Sequence, residues 1–174
     1  MKTLMLFVIA ISVSLALAAQ ESGDACPMHA QHAKKDAHHA GVDARGDQAM
    51  GFPQDKTTHH FRLRQNGGAI EVTANDPADK QNAETIRQHL SHITVMFRDG
   101  DFSTPMFIHD RVPPGVPVMK DKREQIQYTY ESIPAGARIR IATSDEAALA
   151  AVQQFLRFQI EDHQTGDPTE LPRQ

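Results

Sequence analysis

Apolar and polar positions alternate with period two along "THHFRLRQNGGAIEVTAND". His59, Phe61 and Leu63 share one face of a first strand, and His60, Arg62 and Arg64 share the other. Ile70, Val72 and Ala74 give the inward face of a second strand. Between them Asn66-Gly67-Gly68 offers the positive φ angles of a tight hairpin. Asn75 or Asp76 can cap a helix directly after the second strand, with Pro77 suited to its first turn. The spacing then changes to that of a helix from about Ala78 to Arg98, which "RDGD" ends.

The second half repeats this plan. "IQYTYESIPAGARIRIATSD" reads as another hairpin. Ser144 or Asp145 caps a helix from about Glu146 to His163, ended by "QTGD". "GGAIEVTAND" lines up with "AGARIRIATSD", "IRQHLSHI" with "VQQFLRFQ", and "RDGD" with "QTGD". Each ββα unit has one apolar sheet face and one amphipathic helix, and neither can bury its face alone. The expected fold is therefore α+β: a duplicated ββα–ββα with a four-stranded antiparallel sheet and two helices on one face. A long irregular connection from Asp101 to Gln125 carries "PMFIHD" and "PPGVPVMK".

The ends of the chain differ from this core. An apolar run of about 14 residues after Lys2, closed by small residues near Ala18-Ala19, reads as a signal peptide over residues 1–19 and is short for a spanning helix. Its loss takes the formal charge from −4 to −5. The protein is thus expected in the periplasm or secreted, with no membrane attachment after cleavage. Residues 20–50 lack large apolar side chains and read as a flexible tail rich in histidine and methionine. Residues 51–167 form the domain, and 168–174 read as a disordered C-terminus. The mildly acidic balance and missing basic stripe argue against nucleic acid. Cys26 is the only cysteine, which rules out an intrachain disulfide.

Histidine is the compositional outlier, at 10 of 174 residues. On the first helix, Ile86, Leu90, Ile93 and Phe97 fall within about 60° of one another and form the core stripe. His89, His92 and Met96 lie on the adjoining flank, where residues three and four apart are neighbours. The repeat places Phe155 and Phe158 opposite His89 and His92, and Tyr128 and Tyr130 opposite His59 and Phe61. Imidazoles thus stand where the other half has aromatic rings. Burying several is costly unless a metal, a cofactor or a carboxylate joins them. The candidate metal ligands are His89 and His92 first, then Met96, His59, His60, Met106 and His109, with a second set in the tail: Cys26, Met28, His29, His32, His38 and His39. Imidazole with thioether points to copper. Haem held by the same histidines is the alternative; no CxxCH motif allows its covalent attachment. A partner-binding domain without metal, a homodimer through the aromatic flank of the second repeat, is a further alternative. Asp110 beside His109, Glu71 and Asp76 are acid–base candidates, yet no nucleophile elbow, HExxH, P-loop or paired-carboxylate signature marks an enzyme.

Two resemblances bear on these expectations. "MGFPQDKTTHHF", "IRQHLSHI", "PMFIHD", "PPGVPVMK" and "FLRFQIEDHQTGD" together resemble a family of small exported bacterial proteins to which no reaction is attached. Such sequences are at times labelled aspartate carbamoyltransferase, but the Ser-Thr-Arg-Thr-Arg run of that enzyme is absent and the chain is too short for its two domains. "CPMH" in the tail resembles the core of small heavy-metal-binding modules on copper and silver efflux proteins, though Ala30 stands where those continue with proline.

Overall fold

The computed structural model describes residues 27–173. The order of elements is α1 (Pro27–Met50), β1 (Thr57–Arg64), β2 (Gly67–Ala74), α2 (Lys80–Arg98), α3 (Ser103–His109), α4 (Val116–Asp121), β3 (Ile126–Ile133), β4 (Gly136–Thr143) and α5 (Glu146–Asp162). The four strands form one antiparallel sheet in the order β1-β2-β4-β3. The α+β fold with its duplicated ββα layout is therefore as the patterning predicts.

The two halves meet about a local two-fold. Ile70 pairs with Ile139 where β2 runs beside β4. These two residues are repeat mates, so the axis passes between them. The glycines at the start of β2 and β4 allow this approach, and Gly67, at φ 142° directly after the turn, serves the first hairpin as well. A side chain on Gly67 would meet the carbonyl of Ile141, and one on Gly136 would meet that of Val72. Gly68 likewise lies against Leu156 of α5.

Each helix packs chiefly over the hairpin of the opposite half: α2 over β3 and β4, α5 over β1 and β2. Arg87 of α2 accordingly donates to Ser132 Oγ and to the Ile133 carbonyl, while Gln153 of α5 donates to the Arg64 carbonyl. Ile86, Leu90, Ile93 and Phe97 of α2 and Val152, Phe155, Leu156 and Ile160 of α5 are buried against Phe61, Leu63, Val72, Tyr128, Ile139 and Ile141 of the sheet. The far sheet face is polar, with Arg138 bound to Glu71 (2.7 Å) and Glu131 (3.2 Å).

Three expectations need correction. The cap of α2 is Asp79, whose carboxylate accepts from the Asn82 N–H (2.9 Å), while Asp76 turns the chain before it by accepting from the Ala78 N–H. Asp145 caps α5 in the same way, accepting from Ala148 (2.8 Å). The connection between the halves is not irregular. It holds α3, ended by Asp110 in the left-handed region, and α4, begun at Gly115 with φ 86°. A side chain on Gly115 would strike the Ala151 carbonyl, which is how closely α4 lies on α5. Residues 27–50, expected as a flexible tail, form helix α1. It is only weakly amphipathic, and its hold on the body is largely polar, which is why its sequence shows no apolar period. Val42 is fully buried and Met50 nearly so. The expected leader (1–19) and Cys26 lie outside the described residues, as do the side chains of Met28, His29 and His32.

Asp79→Ala and Asp145→Ala should each lower stability by about 1 kcal/mol through loss of a cap. Asp145→Ala should be the larger, because that carboxylate also binds Lys122 Nζ at 2.7 Å. Urea unfolding followed by helical circular dichroism measures both.

Candidate functional site

The crossing of helices over the opposite hairpins brings β1 against the end of α5. There His59 stacks on His163, ring centroids 6.0 Å apart and planes within 1°. Phe61 lies against the same imidazole at 5.5 Å. The two-fold mate of this pair is Tyr128 of β3 with Phe97 of α2, 5.9 Å apart. Two aromatic rings in one half are two imidazoles in the other. His163 was missed from the sequence, although the frame that sets "RDGD" on "QTGD" puts it opposite Phe97.

His59, His89, His109 and His163 all line one cavity of about 70 Å³ whose remaining wall is mostly apolar, including Phe61, Ile93, Phe97 and Phe155. Met50, from the end of α1, lines it too. Phe52, just past Gly51, stacks near His59 (6.2 Å) and meets His89 edge-on (5.6 Å). Burial drives the His59 imidazole down to about 4, helped by the nearby His89 and His60. Burial likewise brings His89 to about 4, with His92 adding to it, and His163 to about 3, with His109 and His59 adding to it. All three are neutral at pH 7. His59 Nε2 is shut off from solvent without a hydrogen-bond partner.

His109 is built differently. It is 1% exposed and held at both nitrogens: Nδ1–H donates to Asp162 Oδ2 at 2.6 Å, and Nε2 lies 3.0 Å from the Gln159 side-chain oxygen. Burial lowers its pKa against these bonds. A neutral ring donating from Nδ1 keeps only a lone pair at Nε2, so the Gln159 carboxamide presents its NH₂ there. Oxygen and nitrogen of an amide are told apart only by such partners. Asp162 is the hub of this corner. It accepts from His109, from His38 (2.9 Å) and from Arg111 (3.4 Å), while its main-chain carbonyl accepts from His39 (3.1 Å). Burial pushes its carboxyl upward, but the bonds from His38 and His109 outweigh this and hold it below the usual range.

The expected ligands therefore separate. His59, His89 and His109 come together. His60 points to the other sheet face and binds Asp167 at 2.9 Å. His92 is exposed in a shallow groove with Glu84, Arg87 and Val95, because no element covers that flank of α2 as Arg111 and His109 cover its mate Phe158. Met96 is half-buried near Thr104, and Met106 is half-buried on α3. Neither lines the cavity. His38 and His39 serve as ties from α1 to Asp162. Among the described residues, no three His, Cys, Asp or Glu side chains stand together as a ready-made metal site.

His59 and His163 also form the inner wall of an open groove lined by Asp43, Asp47 and Asp55 with Thr57, Thr58 and Thr165. No Lys or Arg lines it. Comparison with protein-family models, with curated proteins and with solved structures returns no match.

The neutral imidazoles set the acid behaviour. Their folded pKa lies below the unfolded value near 6.5, so the unfolded chain takes up protons first as pH falls. Stability is full above about pH 6.5 and falls between there and about 4, by roughly 1.4 kcal/mol per pH unit for each such ring. Urea midpoints at pH 7.5 and 5 should differ strongly. A His59→Tyr/His163→Phe chain, which copies the other half, should show a much smaller difference and greater stability at pH 7.5.

Proposed function

We propose that the chain is an exported metal-binding protein that takes up copper, for buffering or delivery, through the histidines of the central cavity. His59, His89 and His163 are its ligands, and His109 is a wall fixed by Asp162 and Gln159. One observation supports this above the others: the His59–His163 pair occupies the place of the Tyr128–Phe97 pair. A pair of phenylalanines would fill that place with no buried polar atom at all, whereas His59 Nε2, like the Tyr128 hydroxyl in the other half, is buried without a partner. Retaining imidazoles there costs stability, as functional sites commonly do.

Neutral imidazole is the ligating form, so these rings need release no proton at pH 7 when an ion binds. The acidic groove on the outer side of His59 and His163 favours a cation over an anion by simple electrostatics. Haem fits less well. Pockets for ligands of drug size run to roughly 300–1,000 Å³, and the cavity here is about 70 Å³.

The test is copper titration of the full mature chain, with a chromophoric chelator as competitor, beside His59→Tyr/His89→Phe/His163→Phe. The triple variant keeps the N-terminal ligands, so the domain ion alone should disappear while the far-ultraviolet spectrum is retained. Equal stoichiometry and affinity in the two chains would sink the proposal. A Soret band on adding haem, lost in the triple variant, would favour the cofactor alternative.

A further inference from the structure

Met50 is the feature of this cavity that the histidines do not explain. It is the last residue of α1, 8% exposed, and it lines the same cavity as His59, His89 and His163. The local backbone is arranged to put it there. Gly51, at φ 75°, ends the helix and turns the chain so that Met50 and Phe52 flank the histidines from one short segment. Gly46, one turn earlier, lies under the flexible ends of Gln54 and Met50, so a side chain there would have to displace the Gln54 carboxamide and would sit 3.1 Å from the Met50 methyl.

The rest of α1 is fastened mostly by polar bonds. His38 and His39 hold Asp162, and Arg45 Nε–H donates to the Ile108 carbonyl at 2.7 Å. Apart from Val42 and Met50 the described part of the helix offers little apolar surface to the body. A helix held this way needs a further reason to end in a thioether inside an imidazole-lined cavity. Thioether sulfur is a soft ligand that selects Cu(I), and zinc or nickel gains little from it. Met as mere gap filler is the competing explanation, since its flexible chain suits irregular cores.

Resting on the metal-binding function proposed for this cavity, we infer that Met50 is the sulfur ligand of the site, that the ion is Cu(I), and that α1 closes the site as part of its ligand set. His59 comes from β1, His89 from α2 and His163 from the end of α5, and Met50 adds α1. Loading therefore ties the C-terminal end of α1 to the body.

The experiment uses the full mature chain with Cys26→Ser and Met28→Leu, so that sulfur in the N-terminal segment is silent, with and without Met50→Leu. Leucine conserves volume and keeps the packing. The probe is Cu(I) under anaerobic reduction, competed with a chromophoric chelator, and compared with Zn(II). The Met50 chain should bind Cu(I) at least about tenfold more tightly than Met50→Leu, with Zn(II) affinity the same in both. X-ray absorption at the copper edge should show a sulfur neighbour that Met50→Leu lacks. Hydrogen exchange of the α1 amides should slow on loading only in the Met50 chain. Equal Cu(I) affinity and equal sulfur scattering in the two chains would overturn the inference and leave Met50 as packing, as would tighter binding of Zn(II) than Cu(I). If the Met50 chain binds no copper at all, it is the underlying metal-binding proposal that fails.

Discussion

The pairing of Ile70 with Ile139 across β2 and β4 is the contact on which the architecture turns. Because these residues are repeat mates, everything beyond them is generated twice about one axis. The same geometry sends α2 over the second hairpin and α5 over the first. Neither ββα unit covers its own sheet face, so the halves are stable only together. The cores of both helices and both hairpins then merge into one cluster, with Phe97 and Phe155 meeting edge-on at 6.0 Å near its centre.

Within that shared frame the halves are chemically unequal. On one side Phe97 packs with Phe102, Tyr128 and Phe155 in stacked and edge-on contacts, which are favourable beyond their buried area. On the other side the equivalent ground holds His59, His89 and His163, with His109 locked behind them. The aromatic side supplies rigidity, with the Tyr128 hydroxyl as its one polar atom in these contacts. The imidazole side is held in place by it, half-buried enough to keep the rings neutral. Division of labour between two copies of one motif accounts for how a small core carries an expensive cluster.

The cross-connection and α1 finish the site in ways that have no repeat mate. His109 enters from α3 and is oriented by Asp162 and Gln159 of α5. The same Asp162 anchors α1 through His38 and His39. One carboxylate thus fixes both an inner wall and the helix that brings Met50 to the cavity.

Strand alternation and two helical stripes were enough to specify the doubled ββα plan, because periodicity is a local property of the chain; the cap of α5 was legible at Asp145, while that of α2 lay three residues beyond the expected Asp76. The unusual place of His59 and His89 was legible too, since the repeat supplied Tyr128 and Phe155 as references. His92 read equally well and yet faces solvent, because only the course of α3 decides which helix flank is covered. His163, Asp162 and Gln159 lay unread at the end of α5, about a hundred residues from His59 in sequence. Their meeting depends on which hairpin each helix crosses, a tertiary arrangement that no periodicity encodes. Helix α1 lacked a visible pattern because its attachment is by a few directional bonds to groups far along the chain. Local order was settled by the sequence, while the identity of the cavity's lining was settled by the two-fold packing that put distant residues on one wall.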